Sequence, residues 1–217
     1  GNIRYEILAN GQQINFDYDA LNRMTSRSDA VGTISYTYDK NSNLISQTTS
    51  NTSGQGSGTE TFSYDNFDRV LSKEDIYGKL SRYKYDNNGN LTGLEYAWST
   101  TEGGLSGVSY SYDAKNRLVN IINNLSSTKI AYYRNDLIKS KTFSNGIVSE
   151  YNYNNRNLIT QLSHKANGLL MHEFKYQYDN NNNTTQESEF NGTATILSDF
   201  EYDPQDRLTQ ATYSGDT

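Results

Sequence analysis

The 217-residue sequence contains no cysteine, a single proline and no long apolar run. The absence of cysteine excludes disulfide bonds and thiolate zinc sites. No stretch approaches the ~18 apolar residues that a transmembrane helix needs, so we expect no membrane span. The charge is acidic, with 19 Lys and Arg against 25 Asp and Glu, and the basic residues are dispersed. Nucleic acid is therefore not expected as a partner, because a phosphate backbone requires clustered cations.

Tyrosine, asparagine and glycine are abundant instead, at 19, 27 and 16 residues. Aromatic residues make up 12% of the chain and the formal net charge is −6. Disordered chains lack aromatic residues and carry a high net charge for their length. The composition therefore indicates a folded protein whose apolar surface is built largely from tyrosine.

A short motif recurs along the whole chain: an aromatic residue, any residue, Tyr-Asp, three residues, Asn or Arg, and an aliphatic residue. The second aromatic residues of successive copies lie 20 to 27 residues apart. Two degenerate copies, at 130–137 and 151–158, are interpreted as one residue shorter than the others. The motif residues are Tyr18, Asp19, Tyr38, Asp39, Tyr64, Asp65, Tyr85, Asp86, Tyr112, Asp113, Tyr132, Tyr153, Tyr178, Asp179, Tyr202 and Asp203.

Each copy is predicted to form a strand, a turn and a return strand. In Tyr83-x-Tyr85 the two rings share one face of a strand, while the polar residue between them faces the other way. Asp86 is suited to begin a turn and Gly89 to adopt a positive φ, which predicts a type I turn followed by a bulge. The aliphatic residue Leu91 then starts the return strand. No segment shows the 3.6-residue periodicity of a helix.

A second set of turns is predicted where the spacing between motifs varies. Two Ser- and Gly-rich stretches, 50–60 and 99–107, are the longest of these loops and are expected to be exposed tips. Six dipeptides supply the positive φ values that tight turns need: Asn10-Gly11, Val31-Gly32, Tyr77-Gly78, Asn145-Gly146, Asn167-Gly168 and Asn191-Gly192.

The predicted fold is all-β: tandem β-hairpins stacked side by side into a curling antiparallel β-ribbon or superhelical spiral. We expect residues 1–217 to form a single array of about nine hairpin units, cut within a repeat at both ends, because the sequence begins at "GNI", which matches "GNL" at 89–91. Such a ribbon has open edges, at which self-association is expected.

These residues resemble the YD-repeat, or RHS-repeat, family. The resemblance rests on the motif "Y-D-x-x-N/G-N/R-L-T/I", which occurs in seven clear copies beginning at Tyr18, Tyr38, Tyr64, Tyr85, Tyr112, Tyr178 and Tyr202. The resemblance implies a hairpin strip that spirals into a hollow shell. In bacterial toxin complexes and Rhs toxins of this family the shell encloses a C-terminal effector, and in wall-associated proteins and teneurins related repeats lie outside the cell.

Two features limit what this resemblance implies. The family's "D-P-x-G" cleavage signature is absent, because the sole proline, Pro204, is not followed by that glycine. The ribbon is also short: about 20 strands at ~4.8 Å each extend on the order of 90 Å. This is too small to close around a folded domain of radius of gyration ~13 Å.

Candidate catalytic and metal sites are interpreted as structural. Asp86–Asn90 and Asp179–Asn183 are oxygen-rich but lack the spacing of a calcium loop. His164 and His172 have no acidic ligand set nearby in the sequence. Glu74 and Asp75 are adjacent, so they are expected on opposite faces of a strand. We therefore expect no enzyme activity, no metal and no cofactor.

Two functions fit these observations. The first is a structural segment of an RHS/YD-repeat shell around a toxin or effector, with the remainder of the repeat chain and the cargo as partners. The second is an extracellular β-fibre or adhesin whose loops or tyrosine ladder bind glycans or surfaces. Both predict a bacterial protein that is secreted or held at the cell surface.

Overall fold

The computed structural model describes residues 1–97 and 105–215, and all of its regular elements are β-strands. The part of the loop at 99–107 that falls between these ranges lies outside the described residues. The chain divides into two compact units, residues 1–109 and 110–217. The described residues contain no helix long and apolar enough to cross a membrane.

The first unit contains nine complete strands and the start of a tenth. Consecutive strands from β1 to β10 pair in antiparallel fashion. They are β1 Tyr5–Ile7, β2 Gln13–Tyr18, β3 Met24–Ser28, β4 Gly32–Tyr38, β5 Leu44–Asn51, β6 Gly58–Tyr64, β7 Val70–Glu74, β8 Leu80–Tyr85, β9 Leu91–Ala97 and β10 Leu105–Tyr112.

The second unit continues the same pattern. Its strands β11 to β19 also pair consecutively and antiparallel. They are β11 Leu118–Asn123, β12 Ser127–Tyr132, β13 Ile138–Phe143, β14 Ile147–Tyr153, β15 Ile159–Ala166, β16 Leu169–Tyr178, β17 Thr184–Phe190, β18 Thr195–Tyr202 and β19 Leu208–Gly215. The predicted all-β architecture of hairpins stacked side by side is confirmed within each unit.

The two faces of the strands differ as the alternation of residues predicts. In β8, Tyr83 and Tyr85 are half-buried, whereas Lys84 between them is exposed. Side chains at the position of Lys84 form polar pairs across the hairpins, with atoms 2.6 to 2.9 Å apart: Asp17 with Ser26, Thr37 with Ser46, Ser63 with Ser72, Asn152 with Gln161, and Gln177 with Gln186.

Neither unit encloses a hydrophobic core among its described residues. Ile14, at 7% exposure, is the one buried hydrophobic side chain among them, and the other buried side chains are Ser149, Ser163 and Ser198. The tyrosines are largely half-buried. The apolar face of a sheet is normally buried against a second layer. Without such a layer, part of the tyrosine face stays accessible to solvent.

The structure corrects two details of the sequence interpretation. The degenerate copies are not shorter than the others: Tyr132 pairs with Ile138 and Tyr153 with Ile159, the same six-residue step as Tyr18 with Met24. The aspartate position is simply occupied by Tyr133 or Asn154, so the backbone path is unchanged.

Val31-Gly32 does not form the predicted positive-φ turn. Gly32 begins β4, and the turn is closed instead by Asp29 Oδ1, which accepts the N–H groups of Val31 and Gly32 at 2.8 and 3.2 Å. A Cβ at Gly32 would lie 2.3 Å from the carbonyl oxygen of Ser50. Glycine is required here by the close approach of strand β5. The glycines of the other five dipeptides do have positive φ.

Candidate functional site: the YD turns and the tyrosines beside them

Nine turns of one type occur among the described residues, and within each unit they lie along the same edge of the hairpins. Each joins a Tyr-x-Tyr strand to its return strand and contains five residues. We number them turn 1 to turn 9: residues 19–23, 39–43, 65–69, 86–90, 113–117, 133–137, 154–158, 179–183 and 203–207.

The first residue of the turn holds the loop through its side chain. In turn 4, Asp86 Oδ1 accepts the N–H groups of Asn88 and Asn90 at 2.9 and 2.8 Å. The same double acceptance, at 2.8 to 3.1 Å, occurs in every turn but turn 6, with Asn154 as the acceptor in turn 7. A short side chain that bonds the backbone two residues on is what favours Asp and Asn at this position.

The fourth residue of each turn is left-handed, with φ between 59° and 88°. This residue is Gly89 in turn 4, and Asn, Asp or Ser in the other turns: Asn22, Ser42, Asp68, Asn116, Asp136, Asn157, Asn182 and Asp206. Its N–H donates to the carbonyl of the first residue, as from Gly89 to Asp86 at 3.1 Å. The ladder shifts register just before the turn, between Lys84 and Tyr85 in this hairpin. A type I turn with a bulge therefore forms as the motif predicts.

Hydrogen bonding to the turn keeps these carboxyl groups ionised. The side-chain amide of Asn90 lowers the pKa of Asp86. The guanidinium of Arg117 does the same for the pKa of Asp113, and the backbone N–H of Arg23 for that of Asp19. Each bond stabilises the charged form of the acid. The oxygens of the former calcium candidates are thus engaged by the turn itself, in Asp179 as in Asp86.

The second tyrosine of a hairpin bonds to the hairpin before it. Tyr64 donates its hydroxyl to the carbonyl of Leu44 at 2.8 Å, and Leu44 is the first residue of the preceding return strand. Burial raises the pKa of Tyr64, so the phenol stays protonated and able to donate. Bonds of 2.7 to 3.0 Å at the equivalent position join Tyr38 to Met24, Tyr85 to Val70, Tyr132 to Leu118, Tyr178 to Ile159 and Tyr202 to Thr184.

An arginine covers some of these tyrosines. Arg69, the last residue of turn 3, lies with its guanidinium carbon 4.5 Å from the ring centroid of Tyr85 in the next hairpin. Arg23 lies over Tyr38 at 4.8 Å and Arg117 over Tyr132 at 4.6 Å in the same way. Cation–π contact at this distance is attractive and is strengthened by partial burial. Tyr38, Tyr85 and Tyr132 therefore each receive two contacts from the preceding hairpin, one from an arginine and one from a main-chain carbonyl.

Sequence reasoning did not find the contacts made by the fifth turn residue. It treated Arg or Asn at that position as part of a turn, whereas the structure shows that Arg23 also donates to the carbonyl of Asp39, at 2.8 Å, in the next turn. The sequence does contain a pattern that indicates such a contact, because Arg and Asn alternate at the fifth turn position through the first five copies.

The two histidines lie closer to one another than their sequence separation suggests. His164 and His172 are direct partners on β15 and β16, with ring centroids 6.4 Å apart. His164 Nδ1 is 2.9 Å from Ser149 Oγ, and His172 Nε2 is 2.8 Å from Glu189 Oε1. One acid, Glu189, therefore lies beside His172 although it is seventeen residues away in the sequence. Even so, no group of three or more His, Asp or Glu side chains in the described ranges is arranged to hold a metal ion.

The remaining candidate residues also occupy turns or grooves. Asp75 Oδ1 accepts the N–H groups of Tyr77 and Lys79, both at 2.9 Å, so it closes a turn at the opposite edge.

An open groove of about 450 Å³ lies between turns 6 and 7, beside Tyr133 and Tyr153. Their rings meet edge to face at 6.1 Å. This groove is lined by aromatic and amide groups rather than by paired acids.

Comparison with known families agrees with the turn geometry. Residues 2–101 match the family model of the teneurin YD shell. The repeats of this segment are similar to YD repeats. The resemblance predicted from the motif is confirmed, and the hairpins of the second unit contain the same turn even where Tyr133 and Asn154 replace the aspartate. No curated protein sequence matches the chain.

Solved structures share the fold at low sequence identity. A crystal structure of TcdB2-TccC3 without the hypervariable C-terminal region aligns over 97% of this chain with a TM-score of 0.73 and 14% identity. The Photorhabdus luminescens Tc holotoxin pore with a TccC3 mutation aligns over 93% with a TM-score of 0.71 and 13% identity. This chain spans 13% and 12% of the length of those chains.

Proposed function

We propose that this chain is a structural, non-enzymatic wall segment of a bacterial RHS/YD-repeat shell. In the full-length protein the ribbon curls with its neighbours into a β-spiral that encloses a toxin or effector. The observation that carries this proposal is the combination of hairpins bonded one to the next with the lack of a closed core in either unit. Such a ribbon leaves its tyrosine side available to line an interior.

The fold comparison supports the same proposal. The TcdB2-TccC3 structures contain a ribbon of this fold within chains many times longer. A short segment of such a wall needs rigidity and regular spacing rather than a catalytic centre. Bonds between successive turns and tyrosine hydroxyls supply that rigidity, because each hairpin fixes the position of the next.

The proposal is tested on the full-length protein by limited proteolysis with identification of the fragments. We expect the segment that carries the effector to resist cleavage in the intact protein. Once the shell is opened with denaturant, the same segment should be cut within minutes. Equal cleavage rates before and after opening would contradict the enclosure of a cargo.

A second candidate function is that of an extracellular fibre or adhesin. Exposed aromatic side chains at turn tips favour it: Phe67 is 79% exposed and Tyr77 is 69% exposed. Exposed rings of this kind stack on sugars. Binding to a glycan array that is lost in Phe67→Ala and Tyr77→Ala would support this function, and absence of binding by the wild-type protein would exclude a glycan role for these tips.

A further inference from the structure

Two histidines lie side by side on the tyrosine face of the hairpin β15–β16. His172 continues the aromatic column of β16, because its ring centroid lies 4.5 Å from that of Phe174, which in turn lies 6.4 Å from that of Tyr176. His164 is the direct partner of His172 across the ladder, with ring centroids 6.4 Å apart. The fold therefore brings together two imidazoles that are eight residues apart in the sequence.

Each imidazole is held through one of its two nitrogens. Nδ1 of His164 lies 2.9 Å from Oγ of Ser149, whose side chain is buried, and Nε2 of His172 lies 2.8 Å from Oε1 of Glu189. The other two nitrogens make no hydrogen bond within the described ranges and are not buried. A histidine that binds a metal ion usually has its second nitrogen engaged in this way, which fixes the ring and the tautomer. The pair already has that outer support.

The separation of the rings is close to what a shared ion requires. Imidazole nitrogens bind Zn²⁺ at ~2.0–2.1 Å, so two rings on one ion have centroids roughly 5–6 Å apart. Both histidines are half-buried rather than locked in a core, and rotation of their side chains supplies an approach of about 1 Å. Among the described residues no third His, Asp or Glu is placed as a ligand, so water completes the coordination.

Two carboxylates lie next to the histidines on the neighbouring strand. Glu187 and Glu189 of β17 are the direct partners of Tyr176 and Phe174 in the aromatic column. Burial raises the pKa of Tyr176, and the charge of Glu187 raises it further. In the described part of the chain Glu187 forms no ion pair, and the ion-pair partner of Glu189 is His172. The face beside the imidazoles therefore carries negative charge.

The lysines of the neighbouring strands do not neutralise these acids. Lys165 Nζ lies 2.6 Å from Glu150 Oε2, and Lys175 Nζ lies 2.5 Å from Glu173 Oε2. Lys141 of β13 lies over an aromatic ring of β14, 5.9 Å from its centroid. A dication at the histidine pair would be attracted by Glu187 and Glu189 without displacing a protein cation.

We propose that His164 and His172 form a binding site for a first-row transition-metal dication, and that Glu189 positions the ring of His172. Imidazole suits Ni²⁺, Cu²⁺ and Zn²⁺, whereas Ca²⁺ and Mg²⁺ prefer oxygen ligands. The bound ion bridges β15 and β16. This site lies within the second unit, and it does not depend on whether the ribbon encloses a cargo.

The first test is isothermal titration calorimetry of the intact chain, produced without a histidine tag. We expect one saturable site, with Cu²⁺ bound more tightly than Ni²⁺ or Zn²⁺. An excess of Ca²⁺ or Mg²⁺ should not compete. H164N and H172N should each abolish the site, and circular dichroism shows whether the variants are folded.

Glu189 is tested against a matched acid on its own strand. E189Q removes the carboxylate that holds the ring of His172, and we expect it to weaken binding roughly tenfold, as loss of such an outer partner does. E187Q removes the same charge from the same strand without breaking a bond to a histidine, so it should weaken binding less. Equal losses in the two variants would overturn the positioning role of Glu189.

Pulsed electron paramagnetic resonance of the wild-type chain with bound Cu²⁺ needs no variant. Couplings from two imidazole nitrogens are expected, one from each histidine. Couplings from one imidazole or none, the absence of saturable binding, competition by Ca²⁺ or Mg²⁺, or an affinity unchanged in a folded H164N or H172N variant would overturn the proposal.

Discussion

At the scale of single residues, the first side chain of each YD turn replaces hydrogen bonds that the backbone cannot make for itself. Asp86 illustrates the point, because one oxygen accepts two backbone N–H groups and the other accepts the amide of Asn90 at 2.9 Å. The N–H groups in a turn need such partners, since an unpaired polar group costs stability. Turn 7 shows that Asn154 can serve the backbone equally well.

The lowered pKa of Asp86 predicts a pH dependence for that turn. A carboxyl with a depressed pKa in the folded state adds stability above its ordinary value of 3.8, and this contribution is lost as the pH falls below that value. We expect Asp86→Asn to lower Tm at pH 6, because the charged partner of Asn90 is lost while the backbone bonds remain. At pH 2.5 the difference in Tm between the variant and the wild type should shrink.

Thermal unfolding followed by circular dichroism at both pH values measures this difference. A gap in Tm that is the same at pH 6 and pH 2.5 would show that ionisation of Asp86 contributes nothing to the fold.

The tyrosine hydroxyl gives a second prediction. Tyr64→Phe removes the donor to Leu44 O, and we expect a loss of about 1 kcal/mol in the free energy of unfolding, the usual net value of one hydrogen bond. Tyr77→Phe is the control, because Tyr77 is 69% exposed at the opposite edge and a surface change there should stay within about 0.5 kcal/mol. Urea denaturation compares the two, and equal losses would contradict a special role for the hydroxyl in joining hairpins.

At the scale of strands and hairpins, the close approach of two backbones can require glycine as strictly as a left-handed turn conformation does. Gly32→Ala places a Cβ 2.3 Å from Ser50 O, and relief of such a contact requires movement of β5. We expect a loss of about 1–3 kcal/mol, the typical range for overpacking.

Gly93→Ala is the matched control for this change. Gly93 also lies in a strand and has a φ that other residues adopt, but its added Cβ would meet the Lys84 side chain at 3.4 Å, an ordinary contact. It should therefore be neutral or slightly stabilising, because alanine loses less entropy on folding. Equal denaturation midpoints for the two variants would contradict the account of Gly32.

The sequence was informative about hairpins because their chemistry is local. Asp86 and Gly89 lie three residues apart, so the turn and its bulge follow from known conformational preferences. Contacts between hairpins are not local in this sense. Arg23 meets Asp39 sixteen residues away, and His172 meets Glu189 seventeen residues away. Which residues pair depends on strand register, and register cannot be read from the sequence because the loops between the motifs vary in length.

The Gly32 error has the same origin. A Val-Gly dipeptide looks like a turn tip when read alone, but here the turn is closed by Asp29, three residues earlier. The need for glycine arises from Ser50 on a neighbouring strand, which is visible only once the strands are paired.

At the scale of the whole molecule, the account rests on which surface the tyrosines face. Among the described residues of each unit the apolar side is left half-open, and this chain spans only 12–13% of the chains whose fold it shares in the structures compared above. A wall segment and a self-packed fibre use the same hairpins and the same turns. They differ in what lies against the tyrosines.

The most direct test is therefore a cryo-electron microscopy structure of the full-length protein that contains this segment. The account predicts a hollow shell in which Tyr85 and its counterparts face an interior occupied by density for the effector. A structure in which these tyrosines pack against the opposite wall of the same ribbon, with no interior space, would contradict it.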